Sequence, residues 1–180
     1  MTLAHAPLVG VGGFYGGLLH PLLVPAHAMA LLALGLLITS LGGKTRSLLS
    51  LVFTVGLVAG LAAIAWGTGP TPAGEILVGA AGLCGLVVAL ARPLPLAIAG
   101  GLAAATGLAI GLDSPPEVIS VRIATVMLIG TGFGGVILLT LIVEGTAALK
   151  RDWQRIGMRI VGSWTAASAI LVLALRFAQG

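Results

Sequence analysis

Long apolar runs, broken by short clusters of glycine, proline and charge, divide this chain into seven segments: residues 6–19, 26–41, 47–66, 75–91, 94–112, 118–143 and 156–177. Each run is apolar on every face, whereas a barrel strand would alternate over about ten residues. The runs are also close to the roughly 20 residues that a helix needs to cross a bilayer. The pattern predicts an all-α, polytopic transmembrane helical bundle of six to seven spans, with residues 1–180 forming a single integral membrane domain. If residues 6–41 cross twice there are seven spans. If they make one crossing with a re-entrant break, only the N-terminus changes sides.

The interruptions carry the finer prediction. Residues 14–36 read FYGGLLHPLLVPAHAMALLALGL, with His20 and His27 inside a run that contains no other ionisable group except Tyr15. Pro21 and Pro25 lie between the histidines and are expected to interrupt any helix there. Broken backbone at membrane depth persists where it is buried in protein or lines a cavity, so this stretch is the leading candidate for a binding site. The competing reading is a tight turn whose histidines sit near the headgroups. Glycines at small-xxx-small spacing recur along the chain, among them Gly12, Gly13, Gly16 and Gly17, Gly56 and Gly60, and a run at Gly79, Gly82 and Gly85. Such spacing lets helix backbones approach closely.

Composition excludes most alternatives. Hydrophobic residues make up 58% of the chain and charged residues 8%, against about 25% charged in a soluble domain; mean hydropathy is +1.17. The net charge of +4 comes from nine Lys and Arg against five Asp and Glu. No dense basic run exists, so the charge reads as topology rather than nucleic-acid binding. In the seven-span arrangement Lys44, Arg46, Arg92, Lys150, Arg151, Arg155 and Arg159 share one side, with Arg122 and Arg176 on the other. The first side is then cytoplasmic, as expected for a multi-pass protein of the bacterial cytoplasmic membrane. The His20–His27 turn, Glu75, the acidic loop from Asp113 to Glu117 and the C-terminus fall outside. The start, MTLAHAPLVG, lacks a basic leader and is expected to enter the first span directly.

Other signals are discarded or read as structural. Residues 130–135, GTGFGG, satisfy G-x-G-x-x-G but have no preceding strand, so they indicate close helix packing or local unwinding. Cys84 is solitary, and no nucleophile–base arrangement is available, so an enzyme is not expected. Arg122 is placed to pair with Asp113 or Glu117, or to snorkel to the outer interface. Glu144 is expected to be neutralised by Lys150 or Arg155. His5 is read as a terminal histidine that could assist capture of an ion at the membrane edge. Trp66, Trp153 and Trp164 read as interface anchors.

Residues 17–36 resemble the signature of the HupE/UreJ family, hydrogenase and urease accessory membrane proteins that move nickel or cobalt. The family's first motif, H-P-x-x-G-x-D-H, is matched by His20, Pro21 and His27, while Val24 and Ala26 replace its glycine and aspartate. Its second motif, F-H-G-x-A-H-G-x-E, is followed by Gly107, Ala109 and Gly111 after a Leu94-Pro95-Leu96 lead-in. Thr106 and Ile110 stand where that motif has histidines, and Asp113 where it has glutamate. The resemblance implies a permease for Ni²⁺ or Co²⁺ with His20, His27 and Asp113 as its ligands and water completing the shell. It implies no tightly bound cofactor; the ion is cargo, and without a nucleotide-binding motif the driving force is a gradient or a coupled ion. The alternative is a non-transporting membrane subunit that packs in a homo-oligomer or against partner membrane proteins.

Overall fold

The computed structural model describes residues 13–69, 71–116 and 120–179. Among these residues seven α-helices follow one another and no strand occurs: α1 (Gly13–Leu23), α2 (Pro25–Leu41), α3 (Gly43–Ala65), α4 (Ala73–Leu90), α5 (Leu96–Leu112), α6 (Val121–Ala147) and α7 (Asp152–Gln179). The expected all-helical bundle is therefore found. His5, Gly12 and Glu117 lie outside the described residues.

The first two helices settle how residues 13–41 cross. Pro25 has no N–H to continue the helical ladder, and its ring pushes the preceding residue into an extended conformation. Val24 accordingly sits at φ −84°, ψ 112°, and the two helices meet at a bend of 65°. Pro21, by contrast, lies inside α1 without ending it. One break replaces the expected double interruption, with His20 in the last turn of α1 and His27 in the first turn of α2. Both helices run the same way as α6: Gly13 faces Ile123 and Gly17 faces Met127 beside α1, whereas Gly35 faces Ile142 beside α2. Thr39 and Thr146 hydroxyls meet at 2.8 Å one turn further along. Residues 13–41 thus traverse the bundle once, as a broken span, and the double crossing is corrected.

Four helices, α3, α4, α6 and α7, are individually long and apolar enough to cross a membrane, and the broken pair makes a fifth. Six to seven spans is therefore more than these helices supply. The reason is α5, whose 17 residues reach only about 25 Å at 1.5 Å per residue, short of the roughly 30 Å of hydrocarbon.

Around α2 the other helices pack in pairs. The centre of α2 is the core: Ala30, Leu31, Ala33, Leu34, Leu37 and Ile38 are at most 1% exposed. The most extensive pairs are α3 with α5, α1 with α6, and α4 with α7, and each is joined through small residues. A side chain added at Gly111 would begin 2.7 Å from backbone of Gly60. One added at Gly85 would begin 2.6 Å from the carbonyl of Gly162. Gly130 and Gly134 bring α6 against the backbone of α1, so residues 130–135 serve close packing within a continuous helix and not unwinding.

Candidate functional site

The broken span and the short helix meet at one place. His27, in the first turn of α2, is fully buried. Its Nε2–H donates to Oδ2 of Asp113 at 3.0 Å. Asp113 caps the C-terminus of α5, where the helix dipole disfavours a negative charge. The imidazole of His27 offsets that cost. The end of α5 therefore meets the start of α2, with the Asp113 side chain 32% exposed and His27 fully buried.

In the neutral ring with its proton on Nε2, Nδ1 is the acceptor nitrogen. Nδ1 of His27 is buried and has no hydrogen-bond partner among the described residues, a costly state for a polar atom. The ring of His20 lies edge-on to that of His27, centroids 5.2 Å apart. The three sequence-predicted residues therefore form a chain, His20 beside His27 and His27 bonded to Asp113. Among the described residues no three His, Cys, Asp or Glu side chains are already spaced to hold a metal ion together.

Asp113 opens this chain to a cavity of about 440 Å³, whose walls include Pro25, Ala26, Met29, Glu75 and Arg176. Arg176 donates to Glu75 at 2.8 Å. Its guanidinium and Oδ1 of Asp113 both lie within 4 Å of the point where a side chain on Gly74 would begin. Ser114, next in sequence, is buried and donates to the carbonyl of Ile110 at 2.6 Å.

Several sequence-based expectations change here. Arg122 is exposed, in keeping with snorkelling, and does not pair with Asp113, while Glu117 lies outside the described residues; the cation near Asp113 is Arg176. Glu144 is likewise exposed and joined to neither Lys150 nor Arg155. The histidines are not on an outer turn: His27 is fully buried and His20 partly so, and His27 is 14 residues from the end of α2, about 21 Å along its axis. Trp66 and Trp153 stand at helix ends, whereas Trp164 is exposed midway along α7. The Glu75–Arg176 pair was missed, although the charge pattern already placed both residues at the same end of the bundle.

The HupE / UreJ protein family model matches residues 1–172. The chain belongs to the HupE/UreJ family. That family is associated with nickel or cobalt uptake or accessory function and is not a family of enzymes. HupE/UreJ membership and the helix content together make this a membrane protein. No curated protein and no solved structure matches the chain.

Proposed function

We propose that this HupE/UreJ protein is a permease that moves Ni²⁺ or Co²⁺ across the bacterial cytoplasmic membrane through a site containing His20, His27 and Asp113. The observation that carries the reading is the buried His27, held by a carboxylate through Nε2 and left with an unpartnered Nδ1 at the break in a membrane helix. Carboxylate–histidine pairs of this kind orient imidazoles toward metal ions. Imidazole nitrogen and carboxylate oxygen suit a divalent first-row ion.

In this mechanism a hydrated cation enters the 440 Å³ cavity, where the carboxylate of Asp113 attracts it and replaces part of its water. His27 and then His20 supply nitrogen donors, with remaining waters completing the shell. Few protein ligands favour release, which conduction requires. Below His27 the buried residues Ala30, Leu31 and Leu34 block the way, so passage requires α1 and α2 to move about Val24. The basic ends of the helices, gathering Arg46, Arg92, Arg155 and Arg159 on one side, support a cytoplasmic placement for that end and an outward-facing cavity.

The test is uptake of labelled Ni²⁺ and Co²⁺ into proteoliposomes containing wild type, His20→Ala or His27→Ala. Uptake by wild type that falls to the empty-vesicle level in His27→Ala supports the permease. Wild type indistinguishable from empty vesicles sinks it and leaves the second reading, a membrane subunit that has lost transport. The replacement of two family histidines by Thr106 and Ile110 favours that alternative.

A further inference from the structure

The opposite end of the bundle holds a second cavity, of about 680 Å³, between the last turns of α2, α4 and α6 and the first turns of α3 and α7. Its volume is within the range of small-ligand sites. Arg46, Arg92, Arg155 and Arg159 line it, and no aspartate or glutamate does. Arg159 is anchored, its Nε donating to the carbonyl of Ala89 at 3.0 Å. The side chains of Arg46, Arg92 and Arg155 make no hydrogen bond or ion pair among the described residues.

Isolated arginines at a membrane edge are explained by snorkelling and by the negative ends of helices. Four around one concavity, with no counter-charge in its wall, are not. Ala91, in the wall, is left-handed at φ 49°, ψ 37°, a conformation that disfavours any residue with a Cβ. Among the described residues it alone, other than glycine, has positive φ. This left-handed residue closes α4, and the chain that leaves it places Arg92 and Pro93 in the cavity wall.

We propose that this cavity binds the phosphate of an anionic phospholipid from the leaflet at that end of the bundle. Guanidinium groups recognise phosphate oxygens in a two-pronged geometry that ammonium groups do not match. Leu36, Val87 and Met158 give the same cavity an apolar wall suited to the glycerol and upper acyl carbons, which free phosphate lacks. Basic pockets between membrane helices on the cytoplasmic side are a known physical solution for lipid headgroups.

The experiment uses the full chain in detergent, titrated with phosphatidylglycerol, phosphatidylcholine or inorganic phosphate and read by native mass spectrometry. Phosphatidylglycerol should bind at least about tenfold more tightly than the other two. The Arg92→Gln/Arg155→Gln variant should lose about tenfold or more of that affinity. A Lys44→Gln/Arg151→Gln control, outside the cavity, should stay within about twofold of wild type. Equal binding of the two lipids overturns the proposal, as does equal loss in the control variant. Inorganic phosphate binding as tightly as phosphatidylglycerol overturns it in favour of a free-phosphate site. Should the double variant fail to fold, Arg46→Gln carries the comparison, with a loss of about threefold expected and none overturning it. None of these measurements involves a metal ion, so they stand apart from the permease reading.

Discussion

The two cavities lie at opposite ends of α2, α4 and α7, with their linings centred about 20 Å apart along α4, yet their chemistry is opposed. The one at Asp113, outer in the proposed orientation, has two carboxylates, Asp113 and Glu75, against one guanidinium, and leads to the buried imidazole of His27. The inner one has four guanidinium groups and no carboxylate. Helix ends account for much of the difference. At the inner end α2, α4 and α6 all terminate, and their partial negative charge favours arginine. At the outer end the break at Val24 and the C-terminus of α5 bring the buried His27 against Asp113, and a buried ionisable group is costly to keep without such a partner. A cation is thus drawn to one mouth and repelled from the other, by about 1–2 kcal/mol per charge at 10 Å with an effective dielectric of 20. A bound anionic lipid would cancel part of that inner barrier.

The sharpest way to separate the mouths is to alter one and read both. Asp113→Asn keeps an oxygen to accept from His27 but removes the charge. We expect metal affinity, measured by isothermal titration, to fall about 10–100-fold, as for other groups that orient a metal-binding histidine. Binding of phosphatidylglycerol at the arginine cavity should not change. A fall in both would mean that the cavities are one coupled unit.

Gly85 tests whether α4 and α7 form the rigid frame between the mouths. Gly85→Val would press into the carbonyl of Gly162 and should cost about 1–3 kcal/mol of stability. A lower melting temperature together with weaker ligand binding at both ends is the expected result. Unchanged stability would mean that the two helices can part without cost.

Ala26→Asp sharpens the contrast by adding charge to the outer mouth. Ala26 already faces the cavity beside Asp113, at the position where the family motif has its aspartate. A third carboxylate there should raise Ni²⁺ affinity about tenfold, in line with roughly 1–2 kcal/mol from one added charge at this range. No gain would place the ion elsewhere.

Much of the scaffold was legible in the sequence because bilayer length and apolar composition leave few alternatives. The break was foreseen near the right residues, but proline alone could not say which of Pro21 and Pro25 would end the helix. Pro25 does so with Val24 extended before it, whereas Pro21 stays helical, as prolines do when neighbouring helices support the backbone. The meeting of His27 with Asp113, 86 residues apart, came only through the family motif, since no local spacing encodes it. The arginine cavity was visible as charge on one side and not as a concavity, because helix register decides which arginines converge. Arg122 and Arg176 show the same limit: both sit at outer helix ends, and tertiary packing alone brings the second beside Asp113.

Arg176 gives the smallest expected effect and the most selective one. Its ion pair with Glu75 is about half exposed, 46% and 50% for the two side chains, so breaking it should change stability by no more than about 1 kcal/mol. Its electrostatic effect on a neighbouring cation is of similar size but opposite in sign for the two partners. Arg176→Gln removes a positive charge from the cavity and should raise Ni²⁺ affinity about two- to fivefold; Glu75→Gln frees that charge and should lower it by a similar factor. If both variants shift affinity in the same direction, the pair acts by shaping the cavity rather than by its charge. If neither shifts it while Asp113→Asn does, the ion binds on the His27 side of Asp113, out of reach of the outer pair.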